Sequence, residues 1–403
     1  MTRFGIVTTL LCAFALNQSA SAQWDFSGEL GFELRMFPED PAYAGQDDAT
    51  FSPSISFQPE IVYEWDEGSE RATFEPFLRW DAHDNHRTHA DIREASYLHL
   101  ADSWDLTIGI SRVFWGVTES VHLVDVINQT DGVEDIDNED KLGQQMVNVN
   151  WLTNTGTYSL FVLPGFRERT FPGDDARRRG PFEIEQYDTL YESGAEENHV
   201  DVAGRWAHSL GNWDLGLSTF YGTNREARLI GEVAPSGDIH LRPYYELMFQ
   251  TGIDVQYTRE AWLWKLESLY RDGENDSYIA AVGGFEYTLY QIFESNADLG
   301  LLMEYQYDDR NDDGSTPLTV ADNDLFVAAR YALNDESSTA LLAGLIYDLH
   351  EHTILGLIEA ERRLSNNWKI EVEGRFVTNA DVDDPAYFFR RDDSLTLRLT
   401  YAF

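Results

Sequence analysis

The chain has 403 residues, and its 71 Asp and Glu against 29 Lys and Arg give a formal net charge of −42. So acidic a protein offers no basic surface that could neutralise phosphates, which excludes nucleic acid as a partner. No apolar run reaches the roughly 18 residues that a transmembrane helix needs, which excludes a helical membrane protein.

The first 22 residues have the pattern of a secretory signal. Arg3 precedes an apolar stretch from Phe4 to Leu16, and the segment ends in Ala20-Ser-Ala22. A charged start, a short apolar region and an Ala-x-Ala ending are typical of such signals. We therefore expect cleavage after Ala22, export of the protein and one domain over residues 23–403. The single cysteine, Cys12, would leave with the signal, so disulfides and thiolate chemistry are excluded.

From residue 24 onward, apolar and polar residues alternate in many short segments. In residues 24–36, one face carries Trp24, Phe26, Leu30, Phe32, Leu34 and Met36, and the other carries Glu29, Glu33 and Arg35. Because successive strand side chains point to opposite sides, each segment predicts a strand with one apolar face. The predicted strands begin near residues 24, 52, 71, 91, 104, 145, 156, 197, 212, 241, 261, 276, 297, 321, 337, 353, 368 and 389.

The predicted connections sort by length. Those after even-numbered strands are short, whereas many after odd-numbered strands are long and charged, namely 37–51, 113–141, 164–196, 223–240, 308–320 and 378–388. Short turns on one side and long loops on the other are typical of transmembrane β-barrels, and a soluble β-sandwich would not sort its loops in this way. The sequence therefore predicts an all-β, antiparallel up-and-down transmembrane barrel of about 18 strands, with about 16 as the alternative.

The last strand indicates the compartment. Residues 394–403 alternate without a break and end in Phe403. A terminal aromatic residue on such a strand resembles the sorting signal of outer-membrane β-barrels in Gram-negative bacteria. The resemblance implies the barrel assembly machinery, outer-membrane lipid and lipopolysaccharide as partners. Because a barrel of about 16 to 18 strands encloses an aqueous channel, we expect it to pass small solutes.

The connection from Val113 to Lys141 is the predicted constriction. In general porins the loop at this position folds into the lumen. Its first half mixes apolar and polar residues, which indicates packing against the inner wall. Its second half carries Glu134, Asp135, Asp137, Glu139 and Asp140. Acids that point into a pore favour cations, but an exposed acidic surface loop is an interpretation that stays open.

Part of this loop also resembles a family signature. Arg112-x-x-Trp115-Gly116, followed by Asp125-x-x-Asn128-x-x-Asp131, is similar to an Arg-Trp-Gly element and an Asp-x-x-Asn-Pro turn in a poorly characterised family of proteobacterial outer-membrane porin-like proteins. Gln129 stands where the family has proline. The resemblance implies a channel for small solutes or apolar molecules. The residues we place at the constriction are Arg112, Trp115, Glu119, Asp125, Asn128, Asp131, Glu134, Asp135 and Asp137.

Strand phase predicts many charged side chains on the inner wall. Arg35, Arg79, Arg375 and Arg398 complete the constriction set, and the other inward charges are Arg205, Lys265, Arg271, Arg363, Glu29, Glu33, Glu75, Glu267, Glu304, Glu359, Glu361, Glu371 and Glu373. They point inward because a basic side chain facing lipid would cost about 2–4 kcal/mol at the membrane centre. Two interpretations stay open: a transverse field that orients polar solutes, and salt-bridged neighbours that stiffen the wall.

Two segments resemble metal sites, but we predict neither a metal nor a cofactor. Asp309 to Gly314 matches the opening of a calcium loop, but Val320 stands where the loop requires a glutamate. His83, His86 and His89 are spaced by three in a short polar loop, which is more typical of a solvated surface than of a metal centre.

The predicted function is that of a channel for passive diffusion of small solutes. The alternative is a barrel that binds envelope lipid or a partner and conducts little. A barrel enzyme is the third possibility; because no serine lies in a nucleophile-elbow context, we expect no enzyme.

Overall fold

The computed structural model describes residues 22–233, 237, 239–311 and 313–403. The predicted signal segment, residues 1–22, lies outside the described residues except for Ala22. The strands are β1 (Gln23–Met36), β2 (Phe51–Trp65), β3 (Glu70–Asp81), β4 (Ala90–Leu100), β5 (Trp104–Ser111), β6 (Gln144–Thr153), β7 (Gly156–Pro164), β8 (Glu183–Ile184), β9 (Leu190–Tyr191), β10 (Val200–Leu210), β11 (Trp213–Thr223), β12 (Arg228–Val233), β13 (Ile239–Tyr245), β14 (Leu247–Arg259), β15 (Trp262–Asp272), β16 (Ser277–Leu289), β17 (Asp298–Asp308), β18 (Asn323–Ala332), β19 (Ala340–Asp348), β20 (Ile354–Arg363), β21 (Trp368–Thr378) and β22 (Ser394–Ala402).

Helical structure is confined to short turns. The 3₁₀ segments are Asp66–Gly68, Glu196–Asn198, Ile292–Glu294 and Pro385–Phe389. Within the described ranges, no helix has the length and apolar character needed to cross a membrane.

Eighteen of the strands form one closed antiparallel barrel, namely β1–β7, β10, β11 and β14–β22. The wall closes where β22 pairs with β1, from Glu29 opposite Ala402 to Met36 opposite Leu395. Closure removes the open sheet edges that would expose unpaired backbone groups. The prediction of an 18-stranded antiparallel barrel is confirmed.

The alternation of the sequence sorts side chains between two faces of the wall. In β1, Phe32 and Leu34 are 39% and 38% exposed on the outer face, whereas Glu33 and Arg35 are each 5% exposed on the inner face. Large apolar side chains are exposed on the outer face of the other barrel strands as well. A continuous apolar outer surface of this kind is typical of a barrel embedded in lipid.

Aromatic residues ring the barrel at the end that carries the short turns. Trp24 packs against Tyr63 with ring centroids 4.5 Å apart, and Trp213 packs against Tyr257 at 4.4 Å. Such residues are enriched where a membrane meets water, because one end of the ring is apolar and the other polar. Phe403 lies at this end, where its N–H donates to the carbonyl of Gly28 at 3.1 Å.

The structure departs from the predicted strands in one region. The strand predicted near residue 241 belongs in part to a small separate sheet, in which β13 pairs with β8, β9 and β12. The barrel strand itself begins later, at Leu247. The error arises because a hairpin within a long loop, with one packed face, has the same alternation as a strand in the wall.

Candidate functional site

Residues 112–143, which we call the crossing loop, fold into the barrel between β5 and β6. Their buried apolar residues join the inner wall in one cluster: Trp115, Val124, Val126 and Ile127 of the loop pack with Met146, Phe161, Leu163, Ala203, Phe220 and Met248. The wall residues come from β6, β7, β10, β11 and β14. The mixed apolar and polar pattern of the first half of the loop therefore fills one side of the lumen, as expected for packing against the inner wall.

Two buried glutamates of the inner wall anchor the first half of the loop. Glu267 of β15 accepts hydrogen bonds at 2.6 and 3.0 Å from the N–H groups of Val117 and Thr118. It also accepts bonds from the Thr118 hydroxyl at 2.7 Å and from the Val124 N–H at 3.2 Å. In the order of the wall, β15 lies six strands from β5, so these contacts carry the loop a third of the way around the barrel.

Glu304 of β17 provides the second anchor. Its carboxylate accepts from the N–H of Glu119 at 2.9 Å, and from the N–H and hydroxyl of Ser120 at 2.9 and 2.7 Å. Gly116 allows the close approach of the loop to β15. A Cβ atom at this position would lie 3.1 Å from Glu267 Oε1, and the φ of +152° also disfavours other residues.

The residues of the predicted family signature hold the loop together. Asn128 is 1% exposed; its side chain accepts from the N–H of Val113 at 2.8 Å and donates to the carbonyls of Ser111 and Leu142, both at 2.9 Å. Asp125 accepts from the N–H of Trp115 at 3.3 Å. These bonds join the beginning and the end of the loop, so both side chains have a structural role.

Two further signature residues contact the wall. The Trp115 ring packs edge-to-face on Phe161, and the Arg205 guanidinium lies 5.1 Å from the centre of the same ring. Arg112 donates to Glu75 at 2.7 Å on the inner wall and is the more exposed of the two, so it is available to solutes.

Asp131 lies at the centre of a buried network near β4. Its carboxylate pairs with Arg93 at 2.6 Å, accepts from the Thr170 hydroxyl at 2.7 Å and lies 3.3 Å from His89. Burial alone would raise the pKa of Asp131, but the contact with His89 and the charge of Arg93 hold it well below its ordinary value. Asp131 is therefore a charged anchor that does not face open lumen.

The neighbouring acids Glu134 and Asp135 are also neutralised. Glu134 accepts from Arg79 in a two-pronged contact at 2.8 and 2.6 Å, and its backbone carbonyl accepts from Arg35 at 2.5 Å. Arg178 lies 3.3 Å from Asp135. Burial raises the pKa of Asp135, but the charges of Arg178 and Arg35 outweigh this effect and lower the pKa to about 2. We predicted Glu134 and Asp135 as pore-facing acids, but their ion pairs leave little of either charge for a passing solute.

Next to these pairs, the carboxylate of Glu33 in β1 lies within salt-bridge distance of four arginines. Arg35 and Arg87 lie 3.1 and 2.9 Å from its carboxylate, and Arg398 and Arg79 lie 3.0 and 3.6 Å away. The inward position predicted for Arg35, Arg79 and Arg398 agrees with this arrangement. Arg87 was missed, because it lies in a short loop where strand phase gives no orientation.

The tip of the crossing loop, residues 136–140, differs from the preceding segment with Glu134 and Asp135, because arginines neutralise its acids less completely. Asp137 pairs with Arg375 of β21 at 2.9 Å, yet burial and the charge of Asp135 raise its pKa to about 7. Burial and the charges of Glu134 and Asp135 raise the pKa of Asp140 to about 6. The docked tip therefore favours protonated acids, and its docking weakens as the pH rises through about 7.

Charged groups that remain partly exposed lie between the loop and the wall of β15 and β18–β21. Glu119 contacts Arg330 and lies 3.5 Å from Lys265. Arg375 lies 3.2 Å from Glu359 and 2.9 Å from Glu373, and Glu119 and Glu139 are within electrostatic reach of Glu359. We call this group the acidic passage. It consists of five carboxyl groups, Glu119, Asp137, Glu139, Glu359 and Glu373, and three cations, Lys265, Arg330 and Arg375.

The three consecutive arginines Arg177–Arg179 form contacts that connect the long loops to one another. Arg177 pairs with Asp392 at 3.0 Å, and Arg179 donates to the carbonyl of Ala44 at 2.8 Å. Together with the Arg178–Asp135 pair, these contacts connect four loops above the lumen. The three side chains are buried to a large extent and do not form an exposed basic patch.

The three histidines of the short loop each face a different partner. His83 pairs with Asp47 at 3.0 Å, His86 contacts the carbonyl of Phe171 at 3.1 Å, and His89 faces Asp131. In the calcium-like segment, Asp309 accepts instead from the N–H of Ile279 at 2.6 Å. Asp312, at the intervening position between Asn311 and Asp313 of that pattern, lies outside the described residues.

Comparisons with known proteins give a fold but no family assignment. No family model matches the sequence, and the comparison with curated proteins gives no match. Among solved structures, the chain resembles Wzi of Escherichia coli, described as an outer membrane protein involved in group 1 capsule assembly and as a carbohydrate binding β-barrel. The TM-score is 0.54 at 10% identity, over 93% of this chain and 84% of Wzi.

Other matches have lower TM-scores. OprB of Pseudomonas putida matches with a TM-score of 0.45 at 9% identity, over 94% of each chain. The outer membrane channel DcaP of Acinetobacter baumannii matches with a TM-score of 0.44 at 10% identity, over 96% of this chain and 99% of DcaP. The likeness to Wzi concerns the fold alone. This chain has the fold of porin-like outer-membrane β-barrels.

Proposed function

We propose that this protein is an outer-membrane channel for small solutes and that the crossing loop forms its constriction. The observation that carries the proposal is the contact of the loop with Glu304 of β17, which lies eight strands from β5 in the 18-stranded wall and so on the far side of the barrel. A loop so placed divides the lumen and leaves the acidic passage as the polar route beside β18–β21. The apolar outer face and the aromatic ring support a position in a membrane, reached through the signal segment and Phe403.

The proposal includes a preference for cations. The acidic passage contains five carboxyl groups against three cations, whereas Glu134, Asp135 and Asp131 are neutralised by buried arginines. Rings of acids in a narrow pore attract cations and repel anions. No catalytic step and no cofactor are part of this proposal.

The test is conductance of the purified protein in planar lipid bilayers, with reversal potentials measured across a salt gradient. We expect stepwise conductance and a reversal potential of the sign given by a cation-selective pore. In Glu119→Gln the cation preference should fall, because one of the five carboxyl groups is removed. Glu336→Gln is the matched control, since Glu336 lies exposed in a short turn at the other end of the barrel. Absence of stepwise conductance in the wild-type protein would refute the channel proposal.

A second candidate function is a binding barrel that conducts little. The observation that favours it is the apolar cluster that fills one side of the lumen, together with the contacts of Arg177–Arg179 that connect the loops above it. Wzi, which is similar in fold, is described as carbohydrate binding. Binding of saccharide to the wild-type protein without measurable conductance would favour this function over the channel.

A further inference from the structure

His89 lies where the short loop between β3 and β4 meets the crossing loop. Its N–H donates to the carbonyl of Arg79 in β3 at 3.1 Å, and its carbonyl accepts from the Arg79 N–H at 2.9 Å. Its ring packs against Phe77 with ring centroids 5.5 Å apart. These contacts fix the ring, so its two nitrogens point to fixed partners on different elements.

Both ring nitrogens of His89 face hydrogen-bond acceptors. Nδ1 lies 2.9 Å from the carbonyl oxygen of Arg87 in its own loop. Nε2 is buried and lies 3.3 Å from the carboxylate of Asp131 and 3.8 Å from that of Glu134, both in the crossing loop. No described residue donates a hydrogen bond to Nε2.

This arrangement requires a positively charged ring. A neutral imidazole carries a proton on one nitrogen only, and its other nitrogen is an acceptor. With the proton on Nδ1, the lone pair of Nε2 would be buried against two carboxylates. With the proton on Nε2, the lone pair of Nδ1 would face a carbonyl oxygen. Only the doubly protonated ring suits both contacts.

Three neighbouring arginines oppose a charge on His89, but each is paired with a carboxylate. The pairs are Arg79–Glu134, Arg93–Asp131 and Arg87–Asp81, at 2.6, 2.6 and 2.7 Å. Burial lowers the pKa of His89, but the contact with Asp131 outweighs this effect, so the pKa is raised above its ordinary value.

Protonation of His89 and docking of the crossing loop therefore favour each other. Below about pH 6.5, the ordinary pKa of histidine, the ring is charged whether or not the loop is docked, so the contact has its full strength. As the pH rises through the raised pKa of His89, the docked ring loses its proton and the contact is lost.

We infer that His89 is a proton-dependent contact that holds residues 130–135 of the crossing loop against β3 and β4 at low pH and loosens them as the pH rises. This segment is separate from the tip, residues 136–140, whose own acids also titrate. The docking of residues 130–135 does not depend on conductance. Its effect on the passage of solutes rests on the proposed function, since a looser loop would widen the lumen.

The test is hydrogen exchange of the complete protein in detergent at pH 6 and pH 9, corrected for the intrinsic effect of pH on exchange. The amides of Val133 and Glu134 report on the segment, because they donate to the Thr170 hydroxyl at 3.2 Å and to the Asp131 carbonyl at 3.1 Å. Loss of a charge-assisted hydrogen bond corresponds to about a tenfold change in population, so both amides should exchange about tenfold faster at pH 9.

Two substitutions of His89 separate its charge from its packing. His89→Gln supplies an amide N–H in place of Nε2–H at every pH, so Val133 and Glu134 should stay protected at both pH values. His89→Phe retains the packing on Phe77 but removes both donors, so these amides should exchange fast at both pH values. His208→Gln, at the short-turn end of β10, is the control and should retain the wild-type response. Heat-modifiable migration in gels confirms that each variant is folded.

Equal protection of Val133 and Glu134 at pH 6 and pH 9 in the wild type would overturn the inference. A wild-type pH response in His89→Gln would also overturn it, because the response would then belong to other groups such as Asp137. If His89→Phe does not fold, the comparison of His89→Gln with the wild type decides. Conductance in planar bilayers at the same pH values distinguishes this inference from the channel: pH-dependent protection without any conductance would support the contact and refute the channel.

Discussion

Glu267→Gln should release the first half of the crossing loop from β15. Glu267 is fully buried and accepts four hydrogen bonds from the loop, three of them from backbone N–H groups. The substitution preserves the size of the side chain but removes its charge and replaces one acceptor oxygen with a donor. The N–H of Val124, which faces that oxygen at 3.2 Å, would lose its acceptor.

The expected magnitude follows from the number and type of these bonds. Hydrogen bonds to a charged group contribute about 1.5–3 kcal/mol and neutral ones about 0.5–1.5 kcal/mol, so each bond weakens by about 1 kcal/mol. Water in the lumen would form some of the hydrogen bonds that the loop loses. We expect the docked loop to lose about 2 kcal/mol, which corresponds to about a thirtyfold increase in the population of the undocked loop.

Hydrogen exchange of the backbone amides measures this population directly. The amides of Val117, Thr118 and Val124 should exchange about thirtyfold faster in Glu267→Gln. Glu371→Gln is the control, because Glu371 is also a glutamate on the inner wall but pairs with Lys369 at 2.9 Å. Unchanged protection of residues 117–124 in Glu267→Gln would refute the anchoring role, and so would an equal effect in the control.

Three further predictions concern the tip of the loop, its base and the end of the chain. Because the pKa of Asp137 in the docked tip is about 7, docking should be strongest below about pH 4 and weaken up to about pH 7. Asp137→Asn should reduce this change, with the remainder due to Asp140, as measured by hydrogen exchange of residues 136–140 at pH 5 and pH 8. Asn128→Ala removes three buried hydrogen bonds and should destabilise the loop base by about 2–4 kcal/mol, seen as faster exchange at Val113 with unchanged protection of β16. Phe403→Ala should lower the amount of folded barrel in the outer membrane but leave refolding in detergent unchanged, as measured by heat-modifiable migration in gels.

Most of the barrel could be predicted from the sequence, because lipid outside and water inside impose a period of two on every strand. The predicted starts at residues 104, 156 and 368 coincide with those of β5, β7 and β21. The small sheet of β8, β9, β12 and β13 could not be distinguished, because its alternation has the same period without a lipid face.

The candidate site was predictable in position but not in detail. The composition of residues 113–141 indicated a loop that packs inside the barrel, and strand phase placed Arg35, Arg79 and Arg398 on the inner wall. Alternation does not show which acid meets which arginine, since partners such as Arg79 and Glu134 are 55 residues apart. The arginines that neutralise Asp131 and Glu134 could therefore be known only from the structure.

The contacts of the crossing loop also determine which side of the lumen can open. On the side of β1, β3 and β4 the loop is held by buried pairs such as Arg79–Glu134, and breaking a buried pair costs about 3–5 kcal/mol. On the side of β18–β21 it is held by the pairs Glu119–Arg330 and Asp137–Arg375, which are more exposed to water than Arg79–Glu134 and therefore contribute less. Thermal motion therefore widens the acidic passage long before it separates the buried pairs. A solute that crosses the barrel would pass beside β18–β21, so substitutions of Glu119 or Asp137 should alter conductance with the barrel intact.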